Sequence, residues 1–369
     1  MTKILCVFGT RPEAIKMAPI VTELEKCPGR VRLVVCVTAQ HREMLDQVLS
    51  LFAIKPHHDL NVMTGDQALP SLATNLLSKF AQVIEQENPN VVLVQGDTTS
   101  AMVASLASFY KEIPVGHVEA GLRTRDRYNP FPEEINRRII SVLATFHFAP
   151  TEMAANALLS EGFPKDNIFV TGNTVIDALM MIANKKPPLD LGIPLNTKKV
   201  ILVTAHRREN FGEPLENICH ALRELARRNE DIEIVYPVHL NPNVQGPVYG
   251  ILAGQQRIHL IPPLDYGMFV HLMSMSYLVL TDSGGIQEEA PALGKPVLVM
   301  RNMTERPEAV LAGMVKLVGT DTDVIIANTE LLLTNQDEYN RMSQGTSPYG
   351  DGKAAERIVQ ILLSRLGVP

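Results

Sequence analysis

The sequence predicts a doubly wound α/β protein made of two domains, and three observations predict it. Short runs rich in Val, Ile and Leu alternate with longer amphipathic stretches along the whole chain. Several runs, such as Val91-Val92-Leu93-Val94, are apolar throughout, which marks a parallel strand covered on both faces. The chain has 369 residues, enough for two domains at roughly 100–200 residues each.

In chain order, strands are expected at Ile4–Gly9, Val31–Thr38, Val91–Gly96, Val115–Glu119, Thr145–Ala149 and Ile168–Gly172. The series restarts with Val200–Thr204, Ile232–Val238, Arg257–Ile261, Tyr277–Thr281 and Pro296–Met300. Helical spacing falls between them, at Ala14–Lys26, His41–Phe52, Ser100–Tyr110, Glu133–Leu143, Pro214–Arg228 and Gln287–Leu293. The alternation breaks once, in the Pro-, Gly- and Lys-rich stretch Lys185–Lys199, which reads as the linker. The expected domains are residues 1–180 and 181–353. Residues 354–369, opening on an amphipathic helix, complete the first.

Hydrophobic residues make up 46% and charged residues 20%, an ordinary globular composition. A net charge of -6 supplies no broad basic face for nucleic acid, but leaves room for a local cationic cluster around a small anion. No apolar run approaches the ~20 residues needed to span a bilayer. The four cysteines include no Cys-x-x-Cys pair and read as reduced, cytoplasmic, structural thiols. There is no His-Glu-x-x-His motif and no Cys/His cluster with ligand spacing, so no metal is expected.

Ligands of open parallel sheets bind beyond the carboxyl ends of the strands, so the residues there carry the functional reading. After the first strand come Thr10 as N-cap, Pro12, and the cations Arg11 and Lys16. Two cations near a helix N-terminus oppose the helix dipole, which suggests an anion in front of them. Asp97 follows the third strand. His117 and Glu119, read as extended, share one side of the next strand, and Glu133 opens a helix. Each has a plainer reading: a surface ion pair for the cations, an N-cap for Asp97, a dipole-favoured acid for Glu133. Together Asp97, Glu119 and Glu133 form the acidic cluster that proton transfer at carbon requires. In the second half, His206 and Arg207 follow a strand. Further on, Ser283-Gly284-Gly285 between strand and helix form a phosphate cradle, with Glu289 placed to accept the hydroxyls of a ribose, and Arg301 and Arg306 nearby. These halves suggest a nucleotide-sugar held in a cleft, nucleotide on the second domain and sugar facing the first. His57-His58 reads as loop.

The motifs Phe8-Gly9-Thr10-Arg11-Pro12-Glu13, Gly96-Asp97-Thr98-Thr99, Val115-Gly116-His117-Val118-Glu119-Ala120-Gly121-Leu122-Arg123-Thr124, Thr171-Gly172-Asn173-Thr174, Ala205-His206-Arg207-Arg208-Glu209 and Asp282-Ser283-Gly284-Gly285-Ile286-Gln287-Glu288-Glu289 closely resemble those of bacterial non-hydrolysing UDP-N-acetylglucosamine 2-epimerases. The match runs over nearly the whole chain. The resemblance implies two Rossmann-like domains of the glycosyltransferase-B type. It implies interconversion of UDP-GlcNAc and UDP-ManNAc by elimination of UDP to a glycal and re-addition, with no cofactor, supplying ManNAc for surface polysaccharide. It also implies a cytoplasmic homodimer. By residue-wise correspondence it makes Asp97, Glu119 and Glu133 the acid/base set, and leaves open which takes the proton. Arg11, Lys16, His206, Phe269, Ser283, Gly284, Gly285, Glu289 and Arg306 become the substrate-binding set, with Phe269 near the uracil. Gln40, His41, Arg207 and His239 match the region where family members bind a second UDP-GlcNAc as activator. Glu43 in place of Gln, and Asp66 in place of Arg, depart from the pattern there; the latter removes a diphosphate partner. Competing readings are a hydrolysing epimerase, a glycosyltransferase on the same fold, and a regulatory sensor that binds without turnover.

Overall fold

The computed structural model describes residues 1–38, 42–62, 68–185, 191–193, 195 and 197–368. The chain divides into two compact units, Met1–Ala178 with Tyr349–Pro369, and Leu179–Pro348. The division falls inside a helix, ahead of the Lys185–Lys199 punctuation.

The first unit runs β1 (Thr2–Phe8), α1 (Arg11–Glu25), β2 (Val31–Val37), α2 (Arg42–Leu51), β3 (His58–Asp59), α3 (Leu69–Glu87), β4 (Val91–Gln95), α4 (Thr99–Phe109), β5 (Val115–Val118), α5 (Glu133–Leu143), β6 (Phe146–Ala149), α6 (Glu152–Ser160), β7 (Ile168–Val170) and α7 (Thr174–Lys185), the helix that crosses the division. The second runs β8 (Lys199–Thr204), α8 (Glu213–Arg228), β9 (Ile232–Pro237), α9 (Pro242–Leu252), β10 (Ile258–Ile261), α10 (Tyr266–Met275), β11 (Leu278–Thr281), α11 (Gly284–Ala292), β12 (Val297–Val299), α12 (Pro307–Leu311), β13 (Val315–Leu317), α13 (Thr322–Thr334) and α14 (Gln336–Ser343). The chain then returns to the first unit as α15 (Ala354–Arg365), which packs on α1.

The strands order β3-β2-β1-β4-β5-β6-β7 in one sheet and β10-β9-β8-β11-β12-β13 in the other, and every pairing is parallel. Burial explains the apolar strands: Ile4–Phe8 and Val91–Val94 are almost wholly excluded from solvent. The strand order reverses between β1 and β4 in the first sheet and between β8 and β11 in the second. At such switch points neighbouring loops diverge and open a crevice. Arg11 and Lys16 follow β1 and Asp97 follows β4; His206 follows β8 and Ser283-Gly284 follow β11.

Two strands were not expected. His58, read as loop, lies in the two-residue β3, and β13 is a three-residue strand at the opposite sheet's edge. Both are too short for their own periodicity to show.

Local capping fixes the helix starts that bear on function. Thr10 and Glu13 form a capping box on α1: Thr10 Oγ1 accepts from Glu13 N, and the Glu13 carboxylate accepts from Thr10 N at 2.7 Å and Gly9 N at 3.0 Å. Helix α15 has no side-chain cap of its own; buried Asp177 on α7 accepts from Ala354 N and Ala355 N instead. That contact holds the returning helix within the first unit.

Candidate functional site

The first unit gathers its acids at the carboxyl ends of β4 and β5. Strand β5 stops at Val118, and Glu119 takes a left-handed backbone with φ of 66°. The extended reading that put His117 and Glu119 on one side therefore fails at its last residue. The turn needs Gly121, at φ +93°: a Cβ there would lie 2.2 Å from the Ala154 carbonyl oxygen. The turn swings Glu119 back toward α1 and β4. Lys16 donates to its Oε1, Gln95 Nε2 donates to its Oε2, and Asn173 Nδ2 donates to Oε1 at 3.1 Å. Lys16 thus has a carboxylate partner of this chain, while Arg11, the first residue of α1, is exposed.

Asp97 does not cap the following helix; Thr98 does, accepting from Ala101 N. Asp97 instead accepts from Arg137 of α5, and Asn136 of the same helix donates to the Asp97 carbonyl at 3.0 Å. Burial pushes the Asp97 carboxyl above the ordinary aspartate range; Arg137 and Lys16 oppose the shift and Glu119 adds to it. Asp97 and Glu119 therefore feel each other's charge. Glu133 opens α5, the helix that holds Asp97, and its buried Oε2 has no hydrogen-bond partner among the described residues. Its neighbour Glu134 is fully buried and anchors the 124–125 turn through Thr124 N at 3.0 Å and Arg125 N at 3.3 Å.

His117 is a support for this corner. Its Nε2–H donates to Gly96 O at 2.7 Å, fixing the turn that presents Asp97. Burial holds the imidazole pKa down at about 3, against the usual 6.5. Below pH 6.5 the unfolded chain takes up a proton there and the folded chain does not. The contribution of His117 to stability is complete above pH 6.5 and is lost as pH falls toward 3, at up to about 1.4 kcal/mol per pH unit. Urea unfolding at pH 7 and pH 5 is expected to show that loss, and His117→Gln to show a shallower one.

In the second unit the organising residue is Asp282, fully buried just after β11. Its Oδ2 accepts from His206 N and Arg207 N, both at 2.8 Å, and from Asn210 Nδ2 at 3.1 Å. One carboxylate thereby folds the loop after β8 against the start of α11. His206 stacks on His239 with ring centroids 5.2 Å apart. Burial lowers the His206 pKa, with Asp282 opposing and His239 and Arg207 adding, so the ring is biased toward its neutral form. Helix α11 begins at Gly284 behind Ser283 with no acid in its first turn, and a Cβ on Gly284 would lie 3.4 Å from an Arg207 guanidinium nitrogen. Arg207 and the N-terminal amides of α11 thus converge on one anion-sized corner.

Around it, Glu289 accepts from the buried Tyr266 hydroxyl at 2.9 Å, and Phe269 is half-buried on the same helix as Tyr266. Arg306 pairs with Glu288, and Arg301 is held by Glu209 and Glu305. Sequence reading missed the supporting roles of Gln95, Arg137, Asn173, Tyr266 and Asp282. Gln95 and Asp282 had a usable signal, a polar residue at or just past the end of an apolar strand; the others have none before the topology is known. Gln40 and His41 lie outside the described residues, as does Asp66. Among the described residues no group of three or more His, Cys, Asp or Glu could hold a metal ion, and no helix is long and apolar enough to cross a membrane.

Two doubly wound sheets, one with Asp97 and Glu119 just past its strands and the other with a helix N-terminus beside Arg207 and His206, form an arrangement suited to a small anionic ligand. The model of the UDP-N-acetylglucosamine 2-epimerase family matches residues 22–363. A UDP-N-acetylglucosamine 2-epimerase of Salmonella typhimurium is 55% identical over 98% of each chain. The crystal structure of UDP-GlcNAc 2-epimerase from Neisseria meningitidis bound to UDP-GlcNAc superposes with a TM-score of 0.88 at 53% identity, covering 98% of this chain and all of that one. That of Methanocaldococcus jannaschii UDP-GlcNAc 2-epimerase in complex with UDP-GlcNAc and UDP gives 0.79 at 34% identity, again over 98% of this chain and all of that one. The chain belongs to the UDP-N-acetylglucosamine 2-epimerase family, and with it to the isomerases.

Proposed function

We propose that this enzyme interconverts UDP-GlcNAc and UDP-ManNAc without releasing free sugar, by elimination of UDP to a glycal and its re-addition. The C2 proton of the sugar is not beside a carbonyl, so a base alone cannot remove it. Breaking the anomeric C1–O bond as the C2–H bond breaks gives a C1–C2 double bond, UDP, and a proton on the base. Return of a proton to the other face of C2 and of UDP to C1 completes the inversion. The observation that carries this reading is that Asp97 and Glu119, at the carboxyl ends of the neighbouring strands β4 and β5, lie close enough for their charges to interact, each seated beside a cation. Asp97, Glu119 and Glu133 supply base and acid. Partial burial raises the Asp97 carboxyl above the ordinary aspartate range, which makes it a better proton acceptor than a solvated aspartate.

Departing diphosphate needs preorganised positive charge. The amides of Ser283, Gly284 and Gly285, with Arg306, His206, Arg11 and Lys16, are the candidates to supply it, Glu289 to take the ribose and Phe269 the uracil. The relative from Neisseria meningitidis, bound to UDP-GlcNAc, supports the choice of nucleotide. A second UDP-GlcNAc would act through Arg207 and His239, together with Gln40 and His41. The stacking of His239 on His206 gives that arm a direct contact with the substrate-binding set. The enzyme works as a cytoplasmic homodimer in this reading, and its product feeds surface polysaccharide.

Incubation with UDP-GlcNAc followed by anion-exchange chromatography tests the non-hydrolysing reading. UDP-ManNAc is the expected product, with total nucleotide-sugar conserved. Accumulation of free ManNAc and UDP would assign the chain to the hydrolysing reaction instead.

A further inference from the structure

One buried side chain of the first unit touches both the acid cluster and the chain's passage between units. Asn173 sits between β7 and α7, just before the chain leaves the first unit, and Tyr349 is where it returns. The two segments lie against each other: Asn173 N donates to Tyr349 O at 2.7 Å. Glycines permit the approach. A Cβ on Gly172 would lie 3.4 Å from both the Gly350 Cα and the Tyr349 carbonyl oxygen, and Gly172 and Gly350 have φ of +92° and +126°. The Asn173 side chain uses both ends. Its Oδ1 accepts from Val175 N at 3.1 Å in the first turn of α7, and its Nδ2 donates to Glu119 Oε1 at 3.1 Å.

Glu119 needs such a fixture. Its backbone occupies the left-handed region that side-chain-bearing residues rarely adopt, and its long side chain has three further rotatable bonds for its contacts to fix. Lys16 from α1, Gln95 at the end of β4 and Asn173 surround that carboxylate, with Asp97 felt electrostatically. Lys16 is a long, flexible cation. The Asn173 amide is short, 3% exposed and fixed at its backbone and at its other end. A rigid donor sets direction better than a flexible one.

We propose that Asn173 is a positioning residue that orients Glu119 for proton transfer at C2 and fastens it to the segments where the chain leaves and re-enters the first unit. The proposal rests on the reading of Glu119 as an acid/base residue. Asn173→Asp turns the contact around: aspartate keeps the oxygen that caps Val175 and the backbone bond to Tyr349, and puts a negatively charged acceptor where the amide donated to Glu119.

The N173D variant is expected to lose about 10- to 100-fold in kcat, the scale of a misplaced catalytic group, with KM and calorimetric UDP affinity within a few-fold of the parent. The acid limb of its kcat profile moves to higher pH, because an added negative charge and a lost donor both disfavour ionised Glu119. Some loss of thermal stability is expected, because the new carboxylate is buried against Glu119; the positioning role is read in the shifted kcat profile, which a purely structural asparagine would not move. Glu119→Gln runs in parallel. A fully active E119Q would overturn the underlying reading of Glu119. An inactive E119Q beside an N173D with parental kcat and pH profile would overturn the positioning role alone. If that loss prevents N173D from folding, Asn173→Ser, which keeps a capping hydroxyl, carries the same comparison with the same two outcomes.

Discussion

Asp97→Asn and Glu119→Gln each lower turnover by about 10²- to 10⁴-fold while UDP binds within a few-fold of the parent affinity. The expected split follows from where the residues sit. Both belong to the first unit, at the ends of β4 and β5, whereas Ser283, Gly284 and Gly285, proposed to face the diphosphate, belong to the second. Neither substitution changes side-chain volume much, and both keep one oxygen, for Arg137 on Asp97 and for Lys16 and Asn173 on Glu119, while the new amide nitrogen of E119Q displaces the Gln95 contact. What each removes is the ability to hold or give up a proton. Single-turnover rates with UDP-GlcNAc, beside calorimetric titration with UDP, separate the two effects. Parental turnover in both variants would remove the acid cluster from the chemistry.

Asp282→Ala is expected to damage the other half. The substitution leaves His206 N, Arg207 N and Asn210 Nδ2 without their common acceptor in a fully buried position. Orphaned buried donors cost about 1–3 kcal/mol each, and relaxation of the loop returns part of it. A net loss on the order of 3–5 kcal/mol is expected, read as a lower urea midpoint. UDP affinity falls with it, because the same carboxylate holds the His206-Arg207 loop beside the N-terminus of α11. Serine at position 283, by contrast, is expected to tolerate alanine structurally, since Ser283 caps no amide of its own helix.

These two halves were unequally visible in the chain. Apolar runs such as Ile4–Phe8 and Val91–Val94 announced buried parallel strands because both faces of each strand are covered, so no polar alternation interrupts them. The residues immediately past those strands could then be read as functional, because the carboxyl ends of parallel strands share one side of the sheet. Asp97, Glu119, His206 and the 283–285 stretch were all singled out this way. Their partners were not. Gln95 and Glu119, Asp97 and Arg137, and Glu119 and Asn173 meet only because β4, β5, β6 and β7 lie side by side and α5 packs on α4 and β5, facts of topology that local spacing does not encode. The left-handed turn at Glu119 also escaped notice, although Gly121 two residues later was its one local trace. Glu13 shows the opposite case. Thr10-x-x-Glu13 spells a capping box in sequence, and the structure buries that glutamate as a cap rather than offering it to Arg11 or Lys16.

The most direct test of the central claim follows deuterium. With purified enzyme and UDP-GlcNAc in D2O, proton NMR is expected to show the C2 signal lost from the UDP-ManNAc formed, and progressively from the remaining UDP-GlcNAc, because the base gives its abstracted proton to solvent before C2 is reprotonated. Epimer formation with the original C2 proton fully retained would contradict proton removal by the Asp97–Glu119 cluster as a solvent-exchanging step.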